Sequence, residues 1–270
     1  MSIRFDNKVA VVTGAATGIG AATARKFVEL GAGVALLDCN ASQLEKTAAE
    51  VGGAARAYVC DVRKSDDVER ALASAARDFG GIDILVSNAG IQRYGTVETT
   101  SEQIWGEVLD TNLKGFFLAA KFAIPHIIAR GGGAIVAVGS VQSVAALGNA
   151  AAYVTSKHGV LGLTRSLAVD YAPQNVRANC VLPASIDTPM LRWAASLDPD
   201  PQRVLATCDR MHALGRIGRP EEVANAIAFL ASDWASFITG TALLVDGGML
   251  APAGGMGFQE GGTGTAAKPE

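Results

Sequence analysis

Residues 9–30 read Val-Ala-Val-Val-Thr-Gly-Ala-Ala-Thr-Gly-Ile-Gly-Ala-Ala-Thr-Ala-Arg-Lys-Phe-Val-Glu-Leu, and a change of periodicity inside this stretch sets the architecture. The unbroken apolar run Val9–Val12 suits a strand covered on both faces, because a half-exposed strand would alternate polar and apolar residues. From Gly18 onward the pattern is helical. A strand that turns directly into a helix aims free backbone N–H groups and the positive helix end at an anion. Gly14 permits the tight turn, Gly18 lets a pyrophosphate approach the backbone, and Gly20 lets the helix pack closely on the strand. Thr17 adds a hydroxyl within reach of a phosphate oxygen. The spacing Gly-x3-Gly-x-Gly departs from the more familiar G-x-G-x-x-G, so glycines alone are weak evidence.

Outward from this turn the same alternation recurs. Strands are predicted at Val9–Val12, Val34–Leu37, Ala57–Cys60, Ile84–Ser87, Ala134–Val138, Arg177–Val181 and Ala242–Val245, with helices near 18–30, 41–50, 66–79, 102–130, 152–171 and 220–231. Short apolar runs separated by helical patterns are the mark of βαβ units on a parallel sheet. The expected fold is α/β: a Rossmann-like, doubly wound sheet of seven mainly parallel strands with helices on both faces. Residues 1–250 are expected to form one dinucleotide-binding catalytic domain, with a lid at about 188–214 that holds a short amphipathic stretch, Met190–Leu214. The glycine-rich residues 251–270 are expected to be a flexible tail.

Composition narrows the function. The 270 residues carry a net charge of −3 and only 18% charged side chains, against 49% apolar ones. A nucleic-acid or membrane-surface binder would need a basic footprint, and no run approaches the roughly 20 apolar residues of a membrane span. The N-terminus lacks a signal peptide's apolar segment and cleavage site, so a cytoplasmic location is expected. Cys39, Cys60, Cys180 and Cys208 are scattered without a C-x-x-C pair, and His126, His158 and His212 are dispersed, so no metal site is expected. No G-x-S-x-G elbow is present to support a serine hydrolase.

The second strand ends at Asp38, 18 residues beyond Gly20, where a carboxylate would accept hydrogen bonds from the adenosine ribose hydroxyls and repel a 2′-phosphate. No Arg or Lys stands at Ala16, Thr17, Cys39 or Asn40. NAD is therefore the expected cofactor rather than NADP. Asp61, after the third strand, is placed to meet the adenine edge, or is a structural strand-end acid.

Farther along, Ser140 ends the fifth strand, Tyr153 follows 13 positions later, and Lys157 lies one helical turn beyond it. A phenol, with a reference pKa of about 10, is a poor base near neutrality. A neighbouring ammonium favours the phenolate and moves that pKa toward the working range. Ser140 would hold a substrate oxygen while Tyr153 removes its proton. Ser143 is a nearby hydroxyl, but the spacing favours Ser140.

With these segments the chain resembles the short-chain dehydrogenase/reductase family. Thr13–Gly20, Asn88-Ala89-Gly90, Asn112, Ser140, Tyr153-x3-Lys157, Gly215–Ala224 and Val245–Gly248 all match in the family's order and span residues 8–250. The resemblance implies that Asn112 organises a water-linked proton path from Lys157 and that Lys157 and Tyr153 also meet the nicotinamide ribose. It implies dinucleotide contacts at Ile19, Val62, Asn88, Ala89, Gly90, Pro183, Ile186 and Thr188. Ala184 stands where the family usually has glycine, which leaves the shape of the pocket there open.

A substrate pocket is expected from Ile91, Gln92, Arg93 and Tyr94, from Gln142, Asn149 and Ser185, and from the lid residues Arg192 and Trp193. Of these, Gln92, Gln142, Asn149 and Arg192 are the expected substrate-binding residues. So many polar groups suit a small-molecule substrate with several hydroxyls, a sugar or polyol oxidised at a secondary alcohol or lactol carbon. Reduction of 3-oxoacyl thioesters is the alternative within the enzyme class, and a silent NAD-binding regulator the alternative outside it. The resemblance also implies a homotetramer paired through the long helices and the last strand.

Overall fold

The computed structural model describes residues 3–251, and the expected tail from 252 onward lies outside them. Seven strands form one sheet: β1 (Val9–Thr13), β2 (Gly33–Asp38), β3 (Ala55–Val59), β4 (Ile84–Ser87), β5 (Gly133–Val138), β6 (Val176–Pro183) and β7 (Ala242–Val245). Their order is β3-β2-β1-β4-β5-β6-β7. Every pairing is parallel, so the expectation of a mainly parallel sheet sharpens to a wholly parallel one. Parallel neighbours need crossovers, and these are α1 (Gly18–Glu29), α2 (Ala41–Val51), α3 (Ser65–Phe79), α4 (Glu102–Leu109), α5 (Gly115–Ala129), α6 (Ala151–Tyr171), α7 (Pro189–Ala195), α8 (Pro201–Arg210) and α9 (Pro220–Ala231).

Two apolar cores flank the sheet. On one face Leu72, Leu85, Phe116, Ile127 and Ile135 pack together; on the other Phe27, Leu36, Leu44, Val86 and Ile227 do so. The strand order reverses between β1 and β4, and the carboxyl ends of these two strands flank the crevice where ligands bind in open α/β sheets.

The structure differs from the sequence reading in two helices. The long helix expected over 102–130 is broken by a π-helical turn, Asp110–Lys114, that holds the buried Asn112. Asn112 accepts from Ile91 N–H at 2.8 Å and donates to Ile91 C=O at 2.9 Å and to Ser156 Oγ at 3.0 Å. The widened turn holds this side chain against a neighbouring strand's loop, and such turns are frequent at functional sites. The amphipathic stretch expected at 190–214 is two helices, α7 and α8, because Asp200 caps a new start by accepting from Arg203 N–H at 3.0 Å, with Pro201 at the first helical position.

Candidate active site

A cleft of about 650 Å³ opens along the carboxyl ends of the strands, from Asp38 and Asp61 at one end to Tyr153 and Met190 at the other. Of the residues expected from sequence, all but Gly20, Arg93, Asn112, Asn149, Arg192 and Trp193 line it.

The middle of the cleft is backbone. Gly14 and Gly18 adopt φ of +63° and +55°, which L side chains rarely take. A methyl group at Gly20 would lie 2.1 Å from the Gly14 carbonyl oxygen, so the first turn of α1 presses on the strand end with no room for a side chain. Asn88 fixes the other wall, since its amide donates to the carbonyls of Thr13 and Gly14 at 3.0 Å each. Thr17, at the N-cap of α1, makes no capping bond with its hydroxyl. A positive helix end, bare backbone and an uncommitted hydroxyl are what a pyrophosphate requires, so the residues present fit a dinucleotide. Gly20 contributes from beneath.

At the outer end, Asp38 accepts from Ala16 N–H at 3.2 Å and from Asn40 N–H at 2.9 Å, which ties the glycine turn to the end of β2. Asp61 is held by Arg63 at 2.8 Å. The Arg63 guanidinium keeps the Asp61 carboxyl below the usual carboxylate range. Arg63 is the residue here that sequence reading missed. It lies beyond the strand end, and only the fold of that loop brings it back to the cleft.

At the inner end Ser140, Tyr153 and Lys157 are brought together and buried. Ser140 leaves β5 in extended backbone and begins a short 3₁₀ turn. Its hydroxyl accepts from Gln142 N–H at 3.2 Å, and Ser143 Oγ accepts from Ser140 N–H, so Ser143 serves as the cap that shapes this turn. Lys157 donates to the Val138 carbonyl at 2.8 Å and stands 5.6 Å over the Tyr153 ring. One expectation is reversed. Burial pushes the Tyr153 phenol up to about 12, against the opposing Ser140 hydroxyl, and pulls Lys157 down to about 8. Taking both groups out of water penalises phenolate and ammonium alike, and that penalty exceeds the attraction expected from one helical turn. Asn112 sits behind this pair: a methyl built on Gly90 would meet its Oδ1 at 3.3 Å and Lys157 Nζ at 3.6 Å.

The substrate end is more apolar than the sequence reading. Tyr94, Leu147, Met190, Leu191, Met211 and Met249 line it, with Gln92, Gln142 and Ser185 as the polar members. Four expected residues, Arg93, Asn149, Arg192 and Trp193, stand outside the lining. Asn149 is an exposed turn residue at φ +59°, whose carbonyl accepts from Gly95 N–H. Arg192 points to solvent and pairs with Asp187 at 2.8 Å, because the short helix α7 turns its neighbour Leu191 to the cleft instead. Across the mouth, the Tyr94 and Trp193 rings stack at 6.3 Å and 17°, and the Arg93 guanidinium lies 5.6 Å from the Trp193 ring centre. Glu107 anchors Arg93 at 3.0 Å. Thr188 caps α7, and just before it Ile186 pairs with Gly218 in an isolated parallel bridge.

Among the described residues no helix is long and apolar enough to cross a membrane. A family described as Enoyl-(Acyl carrier protein) reductase matches residues 14–250. The chain is 43% identical over 254 residues to a cis-4-hydroxycyclohexanecarboxylate dehydrogenase of Sinomonas cyclohexanicum, covering 93% of this chain and all of that one. It is 39% identical over 253 residues to a cyclohexanol dehydrogenase of Acinetobacter sp., covering 92% and 96%. Among solved structures, the aldohexose dehydrogenase of Thermoplasma acidophilum in ligand-free form superposes with a TM-score of 0.85 at 42% identity, over 98% of both chains.

Proposed function

The chain belongs to the short-chain dehydrogenase/reductase family, and on that footing we propose that it oxidises a secondary alcohol or polyol with NAD, using Ser140, Tyr153, Lys157 and Asn112. It is an oxidoreductase acting on alcohols and their carbonyls with a nicotinamide dinucleotide. When bound, the dinucleotide supplies the acceptor for the carbinol hydrogen and its electron pair. The chain's own residues do the rest. Ser140 Oγ holds the substrate oxygen and Tyr153 Oη takes the hydroxyl proton. Lys157, one helical turn away, would meet the ribose, and its charge would offset part of the burial penalty on the phenolate, while Asn112 orders the path by which the proton leaves.

The observation that carries this reading is the burial of Ser140, Tyr153 and Lys157 together at the inner end of a cleft whose middle is bare backbone. A phenol and an amine both held out of water are costly unless put to chemical use. Asp38 supports NAD, because its carboxylate stands at the end of β2 where a 2′-phosphate would meet like charge, and Arg63 is already engaged by Asp61. Both substrate forms named in the relatives, ring alcohols and an aldohexose, suit the inner end. Methionines and leucines would hold a compact carbon skeleton. Gln142 Oε1, buried without a hydrogen-bond partner among the described residues, would accept from a second hydroxyl.

The same proposal includes a homotetramer in the cytoplasm. Phe117 and Val169 on α5 and α6, and Leu244 on the edge strand β7, leave large apolar side chains exposed. The four cysteines are free thiols, as a reducing compartment would keep them. An NAD-linked screen of sugars, polyols and cyclic and acyclic secondary alcohols, with Tyr153→Phe as control, tests the reading. Activity on 3-oxoacyl thioesters with NADPH alone would overturn it. Light scattering behind size exclusion tests the assembly.

A further inference from the structure

His212 follows α8 at the base of the lid and is 3% exposed. Each of its ring nitrogens meets one backbone group. Nδ1 lies 2.7 Å from the Cys208 carbonyl oxygen, and Ser185 N–H donates to Nε2 at 3.3 Å. A carbonyl only accepts and an amide N–H only donates, so the hydrogen is on Nδ1 and the ring is neutral. Cys208 belongs to α8 of the lid, Ser185 to the loop that leaves β6, and both line the cleft. The imidazole thus joins two walls of the active-site cleft from behind.

We propose that His212 is a positioning residue: its neutral ring fastens the lid to the Ser185 loop and thereby sets the wall that Cys208 and Met211 present to substrate. The proposal rests on the alcohol-oxidising reading only for what the lid encloses. The ring cannot keep both bonds when charged, because a proton on Nε2 would face the Ser185 N–H, donor against donor.

The neighbours do not offer a substitute bond. A second, smaller cavity of about 230 Å³ adjoins the ring, and its charged members are Arg216, Glu222 and Asp246. Arg216 engages Glu222 at 2.7 Å, and Asp246 accepts from the N–H groups of Gly248 and Leu250. On α8 itself, Asp209 accepts from Ile217 N–H. From the turn after β7, Gly247 backbone closes on the ring, where a methyl would come within 3.4 Å.

The test uses His212→Leu, which removes both bonds, and His212→Gln, whose amide can donate to Cys208 and accept from Ser185. Amide hydrogen exchange over residues 185–214 reads the lid directly. The Leu variant is expected to exchange there about tenfold faster and to raise alcohol KM about tenfold, with the dissociation constant of the reduced dinucleotide within about twofold. The Gln variant, which keeps both bonds, is expected to hold alcohol KM and lid exchange within about twofold of the wild type. Wild-type lid exchange in the Leu variant, or Leu-like exchange in the Gln variant, overturns the proposal. Faster lid exchange in a protein that turns over no alcohol upholds the positioning role and overturns the functional reading instead.

Discussion

The middle and the inner end of the cleft are built from different materials. The glycine turn is backbone pressed against backbone, with Gly20 lying on the Gly14 carbonyl and Asn88 stitching β4 to the same turn. The inner end is side chains: a buried phenol, a buried amine and a mostly apolar wall from α7, α8 and the turn that follows. Backbone that accepts no Cβ has no graded response to substitution, whereas side chains can be exchanged one function at a time. The first region should therefore lose binding and stability together, and the second should lose chemistry with binding and fold kept.

The largest effect tests the second half of that contrast. Tyr153→Phe keeps the ring and its packing and removes the proton acceptor, so kcat should fall by about 10³-fold or more while reduced-dinucleotide binding stays within about twofold. Retained turnover would break the comparison at its chemical end. Gly20→Ala tests the first half. With 2.1 Å available between the new methyl and the Gly14 oxygen, dinucleotide affinity should drop by about 100-fold, with a Tm lowered by several degrees, about 2–3 kcal/mol. A soluble variant with wild-type affinity by fluorescence titration would show that the turn yields.

Lys157→Met sharpens the comparison through stability. Because burial holds Lys157 at about 8, below its ordinary 10.5, the unfolded chain binds more protons between those values. Wild-type stability should therefore rise from pH 8 toward 10.5. Tyr153 acts in the opposite sense: its value of about 12 lies above 10, so the stability it contributes is intact below pH 10 and declines from there toward 12. In Lys157→Met the rise should vanish and stability at pH 7 should gain about 1–3 kcal/mol while activity is lost. Urea titrations across pH 7–10 measure it. Asp38→Ala should shift the NAD-to-NADP preference in kcat/KM by about tenfold toward NADP, worth about 1.4 kcal/mol. Arg192→Ala should change alcohol kcat/KM by less than about twofold, since that side chain faces solvent; a larger change would return it to the pocket.

What sequence could and could not reveal follows the same division. The strands, the glycine turn and the Ser140–Tyr153–Lys157 spacing are local patterns, and the described residues reproduce them. Asn149 and Arg192 are polar, as pocket residues often are, but their direction depends on a left-handed turn and on the phase of a seven-residue helix, neither of which composition encodes. The reversal at Tyr153 has the same origin. Spacing shows that an amine is near, but only packing shows how little water is left to either charge. His212 takes one partner, Ser185, from a distant segment, whereas Arg63 pairs with Asp61 two residues back and reaches the cleft only through the fold of that loop.

The π-helical turn at Asp110–Lys114 carries a consequence for length variation. A helix advances about 100° per residue, and the residues of the widened turn advance less. Deleting one residue there would give a regular rod, satisfied in its own hydrogen bonds. The five residues of the wide turn cover about the angle that four cover in a regular helix. Phe116, Ala119, Ala123 and Ile127 would therefore keep their places beneath the sheet, and what changes is the hold of Asn112 on the Ile91 loop. A single codon lost at this point would spare both helix and core and loosen the loop that Asn112 ties down.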